Sequence, residues 1–407
     1  MNKLILGSVG DGMFLGLLNY SNARCNYLQI DCASKEEAYV ARSYSILKRV
    51  SIDPFPFLLS HFHYDHYSGL IKAYKKHDKF NIGTFYFPKI PKIVGVDTGE
   101  LLRLNLFFES VYAFTETGLL IIDLIQLVKD VSFNSGISIH PLSSGDVFSV
   151  GGLNFKVIWP PKTIIKSESN IQKRVIVFIE EFRKFLESNP EIKYIYDELT
   201  ENINTKEYLE EHSDDRFTDG KSNKGSNIPD CWETKSEERC RKEMEIKARI
   251  EKLIKNLDEG TKKSLKSFAE RFRKITNSLS LVFFSEDNFI LFLGDLENKD
   301  IGMVGKELLQ SRKTKFDILI TPHHGTHWNN VLFNFRFTFA LSSNGSKLYK
   351  KFRREFCEIS KCSISTHLIS EDVHFHHIRS MWVGNLGFLL FEENPFWRNL
   401  NSLHIIR

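Results

Sequence analysis

Short apolar runs, each closed by a polar or glycine-containing turn, recur along the chain and read as buried strands. Residues 3–9 and 13–18 predict two strands around the turn Gly10-Asp11-Gly12, and Tyr27 to Ile30 predicts a third leading to Asp31. Phe55 to Leu59, residues 145–159 with Gly151-Gly152 as a hairpin turn, residues 289–295 and residues 316–325 continue the series. Phe339 to Gly345 adds a further strand and turn. Elsewhere the period changes from two to that of a helix. Leu106, Phe107, Val111, Phe114, Leu120, Leu124 and Leu127 predict amphipathic helices broken near Thr117-Gly118. Ile171, Val175, Phe178, Ile179, Phe182 and Phe185 predict another. Ile246, Ile250, Leu253, Ile254 and Leu257 predict one more, with Leu265, Phe268 and Phe272 continuing its spacing. Between those two, Asp214 to Asp230 is polar and rich in Gly, Ser and Asn, the composition of a mobile loop. Lys72 to Lys79 is a basic helix or loop, and Lys347 to Arg354 reads as a basic helix. Pattern alone gives a mixed α/β protein with several buried strands.

Composition narrows this a little. A chain of 407 residues with 42% hydrophobic content can bury a large core, as one elaborated domain or two. A formal net charge of +4 tolerates a nucleic-acid partner without demanding one. The six Cys form no C-x-x-C pair, which favours a reducing compartment. No apolar run reaches the ~18–20 residues of a membrane span; the nearest, Leu119 to Val128, is interrupted by Asp123 and Gln126. With no signal-peptide pattern either, the expectation is a cytoplasmic protein without a membrane partner.

The most informative stretch is Ser60-His61-Phe62-His63-Tyr64-Asp65-His66, directly after the run Phe55 to Leu59. A strand end followed by a tight loop can aim several imidazoles and one carboxylate at a single point. Nitrogen and oxygen donors of this kind suit Zn²⁺ and its first-row neighbours. His374, His376 and His377 are metal-like in composition, but nothing pairs with them at a recognised spacing, and a rim loop is the plainer reading.

The pattern H-x-H-x-D-H after a strand resembles the signature of the metallo-β-lactamase superfamily of metal-dependent hydrolases. Gly294-Asp295 at the end of one apolar run and Pro322-His323-His324-Gly325 at the end of another follow in the expected order. Together with Thr276-Asn277-Ser278 and Trp159-Pro160-Pro161, the His-His-Gly variant is similar to one branch. That branch contains the metal domain of DNA-internalisation competence proteins and their soluble relatives. The resemblance spans about residues 1–162 and 276–390.

The resemblance implies a four-layer αβ/βα sandwich binding two divalent cations, Zn²⁺ first and Mn²⁺ as the alternative. It implies His61, His63, Asp65, His66, Asp295 and His324 as metal ligands, with Asp295 bridging and Asp65 orienting the attacking hydroxide. Either His323 or His324 could be the ligand; His324 is taken as ligand and His323 as acid or charge stabiliser. Asp31 and Thr326 would support the site from behind it. Relatives place a third His where Thr276-Asn277 stands here, so Asn277 is a candidate weak ligand or substrate contact. The first turn also departs, being one residue short, with Met13 near the usual Asp.

On this basis residues 1–163 form the first half of a metallo-hydrolase domain, with a helical elaboration at about 101–130. Residues 164–275 form a helical insertion with a mobile loop at about 212–231, and residues 276–407 form the second half. The insertion reads as a cap framing the substrate cleft or as a hairpin with no substrate role. The expected activity is hydrolysis of phosphodiesters by a metal-bound hydroxide, with nucleic acid as a candidate substrate. Lys72, Lys75, Lys76, Lys347, Lys350, Lys351, Arg353 and Arg354 could meet phosphates, although the sequence does not place them near the metals. The alternatives are a small ester, thioester or lactone hydrolase, or a component of a multi-protein system, such as a defence system, with a partner docking on 164–275.

Overall fold

The computed structural model describes residues 2–7, 9–21, 24–50, 53–116, 124–133, 136–164, 170–201, 245, 248–249, 252–367 and 402–406. Loop 212–231 lies outside them. The chain divides into two compact units: Met1–Pro91, Leu124–Thr163 and Lys274–Arg407 form one, Lys92–Asp123 and Ile164–Arg273 the other.

The first unit is mixed α/β. Its first sheet runs, in spatial order, β16 (Ser402–Ile406), β1 (Asn2–Gly7), β2 (Phe14–Ser21), β3 (Arg24–Cys32), β4 (Phe55–Leu58), β5 (Ile82–Pro88) and β7 (Ser138–Leu142). The other seven-stranded sheet runs β15 (Ser360–Ser365), β14 (Arg336–Ser342), β13 (Lys315–Ile320), β12 (Ile290–Phe292), β11 (Val282–Ser285), β9 (Leu153–Trp159) and β8 (Val147–Val150). Two-residue strands β6 (Lys92–Ile93) and β10 (Thr163–Ile164) make a separate ribbon.

Each large sheet is antiparallel in one half and parallel in the other. Sequence and burial agree with that split. In the β8–β9 hairpin, Phe148, Val150, Leu153 and Phe155 are buried while Ser149 and Asn154 are exposed, the alternation of a sheet with one wet face. Gly151 and Gly152 make the turn at φ +58° and +85°, where a side chain would be strained. The short central strand β12 is buried at every position, as parallel strands are. Leu4, Leu15, Leu28 and Leu58 of the first sheet share one core with Phe155, Phe283, Phe292, Ile320 and Leu341 of the second.

Two helices follow the first sheet's strands: α1 (Glu37–Val50) after β3 and α2 (Tyr64–Lys75) after β4. Helix α2 sits close to β3 because residue 69 is Gly. A Cβ there would lie 2.4 Å from the Cys32 carbonyl oxygen and 2.6 Å from its sulfur. Gly69→Ala should therefore destabilise the protein by about 1–2 kcal/mol, seen as a lower denaturant midpoint. Overpacking costs about 1–3 kcal/mol and the gain in helix propensity returns only about 1, since a backbone oxygen cannot swing aside.

Apart from the short strand β6 and the end of β10, the second unit is helical among its described residues. Its helices include Thr98–Glu116, Asn170–Ser188, Pro190–Glu201, residues 252–256 and most of Glu259–Asn277. Phe107 packs against Phe182, and Phe108 against Phe178, Phe182 and Phe272, which groups 92–123 with 164–273. The helical elaboration expected at about 101–130 is thus shared, its part up to Asp123 in this unit and Leu124 onward in the first. The pattern also ran Leu257 into Leu265 as one helix. Asp258 instead accepts the Thr261 amide (2.9 Å) and starts a new one.

Lys347 to Arg354 differs too. Only Ser346–Tyr349 is helical, and the Arg353 amide donates to the Gly325 carbonyl (2.9 Å) instead of continuing the ladder. Like charges four residues apart, Lys347 with Lys351 and Lys350 with Arg354, disfavour the helix, and the tertiary hydrogen bond satisfies the Arg353 amide elsewhere.

Candidate metal centre

The C-terminal ends of β3, β4, β12, β13 and β14, or the loops just beyond them, supply Asp31, His61, Asp295, His323-His324 and Ser343. In α/β sheets this edge is where ligands bind. The first turn of α2 adds Asp65 and His66. Three backbone bonds hold the loops together: Leu281 N to Ser60 O (2.8 Å), His323 N to Gly294 O (3.0 Å) and Arg353 N to Gly325 O (2.9 Å).

Unusual backbone torsions aim several of these groups. Asp31, His323 and His324 have φ of +50°, +48° and +59°, conformations that L residues adopt only when surroundings hold them. Gly294 has φ +53°, and a Cβ there would meet Ser280 Cβ at 2.7 Å and the Leu281 carbonyl at 2.8 Å. The Gly before Asp295 is thus required by both torsion and space.

His61, His63, Asp65, His66, Asp295 and His324 are all buried. Asp295 Oδ2 lies 3.7, 3.6, 3.7 and 3.5 Å from Nε2 of His61, His66, His323 and His324. Two atoms each about 2.0–2.1 Å from one tetrahedral ion stand about 3.4 Å apart, so these separations fit a shared cation. Two sets have ligand atoms within 4.8 Å of one another: His61, His66 and Asp295, and Asp65, His66 and His324. Nε2 of His66 and of His324 are buried without a hydrogen-bond partner among the described residues. A buried ring nitrogen left without a partner is costly, and a cation is the partner that this donor set favours.

The far sides of the rings are engaged. His66 Nδ1 donates to Asp31 Oδ2 (2.7 Å), and His324 Nδ1 donates to the Ser343 carbonyl (2.7 Å). Asp31 also accepts from the Ser60 amide (2.8 Å) and hydroxyl (2.6 Å), and that hydroxyl lies 3.1 Å from His61 Nδ1. Such bonds turn Nε2 toward the centre, as in known metal sites.

Burial, reinforced by His66, pushes His61 well below the ordinary imidazole range. Burial also opposes charge on His66, but the carboxylates of Asp31 and Asp295 outweigh it and hold its pKa well above. Burial would raise Asp295, yet His324, His61, His66 and His323 outweigh it and keep the carboxyl ionised. Burial lowers His323 to about 3.

His63 adjoins the centre but belongs to neither ligand set. It meets His61 Nε2 through Nδ1 (2.9 Å) and the Thr276 hydroxyl through Nε2. Asn277 donates to Glu297 (3.2 Å) and leaves its own buried Oδ1 without a partner among the described residues. The Thr326 hydroxyl donates to the His323 carbonyl (2.7 Å), a role in shaping the loop. His323 is more open than His324, with 23% of its side chain exposed against 1%. Met13 is apolar core; near it, buried Asp11 accepts the Gly345 amide (2.7 Å). His374, His376 and His377 lie outside the described residues.

Several groups escaped the sequence reading. Lys35 Nζ stands 3.1 Å from Asp65 Oδ2. His327 meets His323 Nδ1 at 2.8 Å through Nε2 and the Leu296 carbonyl at 2.9 Å through Nδ1. Ser60 and Ser343 were also missed. Ser60 and His327 flank recognised motifs and could have been suspected; Lys35 and Ser343 carry no local signal.

No helix among the described residues is long and apolar enough to cross a membrane. No protein-family model matches the chain, and no curated protein matches it. Among solved structures it is similar to a β-lactamase domain protein from Burkholderia ambifaria, at 16% identity and TM-score 0.20, over 35% of this chain and 40% of that one. It is also similar to MEM-A1, a subclass B3 metallo-β-lactamase from a soil metagenome library, at 17% identity and TM-score 0.20 over 39% and 53% of the two chains. The chain thus spans about half or less of each of these proteins.

Proposed function

We propose that the chain is a metal-dependent hydrolase of the metallo-β-lactamase type, built as a four-layer sandwich and acting on phosphodiesters. One observation carries the hydrolase reading: distant loops bring His61, Asp65, His66, Asp295 and His324 together with two buried Nε2 atoms turned inward. The phosphodiester preference is supported by the sequence resemblance of the His-His-Gly branch. Divalent cations held there would lower the pKa of water toward about 7 and offset charge on the attacked group. His61, Asp65, His66, His324 and Asp295 would hold them, with Asp65 also orienting the nucleophile. His323, more open than His324 and backed by His327, would be the imidazole that contacts the substrate.

Metal analysis with a panel of bis-nitrophenyl phosphate, carboxylic esters, thioesters and lactones tests this. The expected result is bound Zn²⁺ or Mn²⁺ and chelator-sensitive cleavage of the diester. His324→Ala should lose bound metal, whereas His323→Ala, whose ring burial keeps neutral, should keep it and lose turnover by about 100-fold, the range of a positioned hydrogen-bonding group. Cleavage of esters but not diesters would reverse the substrate assignment. Absence of metal together with absence of cleavage would end the hydrolase reading.

A further inference from the structure

The sequence offered two basic segments without saying which approaches the metals. The structure separates them. In α2, Asp65 and His66 lie in the first turn and Lys75 is the last residue. At 1.5 Å per residue that puts roughly 15 Å of helix between them. Lys72, in the same last turn, is bound to Glu37.

The segment 347–354, Lys-Leu-Tyr-Lys-Lys-Phe-Arg-Arg, is placed otherwise. Its Arg353 amide donates to Gly325, the residue after the His323-His324 pair, and the Phe352 ring lies against Gly325 closely enough that a Cβ there would meet it at 2.8 Å. Tyr349 stacks on Phe352 (6.2 Å) and Phe352 meets Phe356 (6.0 Å). The aromatic side chains thus anchor the segment to the metal loop. Lys347, Lys350, Lys351, Arg353 and Arg354 are exposed. Glu355 pairs with Arg353; no carboxylate among the described residues pairs with the other four.

We propose that this segment is a phosphate track that leads a polynucleotide backbone to the metal centre. The inference rests on the phosphodiesterase reading for what happens at the end of the track. A run of cations beside a candidate diesterase centre matches the repeating charge of a polymer better than the single charge of a small diester. Because Tyr349 and Phe352 are committed to packing, they are not laid out as a base-stacking platform, and the contact is to phosphates. Binding should then be indifferent to base sequence and steeply weakened by salt.

The test is fluorescence anisotropy of the full chain with labelled oligonucleotides of mixed and homopolymeric sequence, in a chelator so that nothing is cleaved. The Lys347→Gln, Lys350→Gln, Lys351→Gln triple variant should bind at least about tenfold more weakly at low salt. Its slope of log affinity against log salt should fall by about 2, at about 0.7 per lost contact on a single strand. Lys75→Gln, Lys76→Gln should bind like the unmodified protein. Unchanged affinity in the triple variant would overturn the track. So would equal loss in the α2 variant, or polyglutamate binding as tightly as the oligonucleotide. Hydrolysis of bis-nitrophenyl phosphate by the unmodified protein is measured separately. Oligonucleotide binding without diester cleavage would sink the diesterase reading while leaving the surface, and cleavage without binding would do the reverse.

Discussion

Asp295→Asn should strip the chain of bound divalent metal and lower diester hydrolysis by more than about 100-fold. Loss of a residue that merely supports a ligand costs about 10–100-fold, and Asp295 lies within 3.5–3.7 Å of four imidazoles rather than behind one. The Asn side chain keeps the shape and removes the charge. A cation at 100 times its dissociation constant stabilises the fold by about 2.7 kcal/mol. Adding chelator should therefore lower the melting temperature of the unmodified protein and leave that of Asp295→Asn unchanged. Metal content by mass spectrometry and paired melting curves check this. An Asp295→Asn protein with full metal content and full rate would show that the cluster is an ordinary buried polar network.

Asp31→Ala should combine two losses. The side chain accepts from the Ser60 amide, the Ser60 hydroxyl and His66 Nδ1, all buried. Removing it leaves those donors facing a small apolar group. Breaking a buried charged pair costs about 3–5 kcal/mol, far above the few tenths expected of a surface change. Metal affinity should also fall by about 10–100-fold because His66 is no longer held with Nε2 inward. Asp31→Asn separates the effects. Asn tolerates the left-handed torsion at φ +50° and can still accept one bond, so stability should recover more than metal affinity does. Denaturant melts and metal titrations of both variants give the comparison. Equal metal affinity in all three proteins would remove Asp31 from the site.

The H-x-H-x-D-H motif was legible from sequence because its residues are neighbours in the chain. A strand end followed by the first turn of a helix brings His61, Asp65 and His66 close together, although His63 turns to Thr276 instead. Period-two and period-3.6 patterning likewise announced the β8–β9 hairpin and the helix Asn170–Ser188, since those signals are local. Sequence spacing could not decide where Asp295 and His324 go. The parallel pairing of β12 with β13 carries them to the same sheet edge, and a register is a property of two strands.

The basic segment shows the limit from the other side. Local propensity suggested a helix at 347–354, but the amide of Arg353 found its acceptor on Gly325, more than twenty residues away. Lys35 beside Asp65 and Ser343 behind His324 were invisible for the same reason. The chain by itself determined which chemical groups are present and which short stretches are strand or helix. Apart from the ligands that the resemblance implied, tertiary structure decided which of those groups share a point in space, because distant hydrogen bonds and close packing, not sequence order, set those distances.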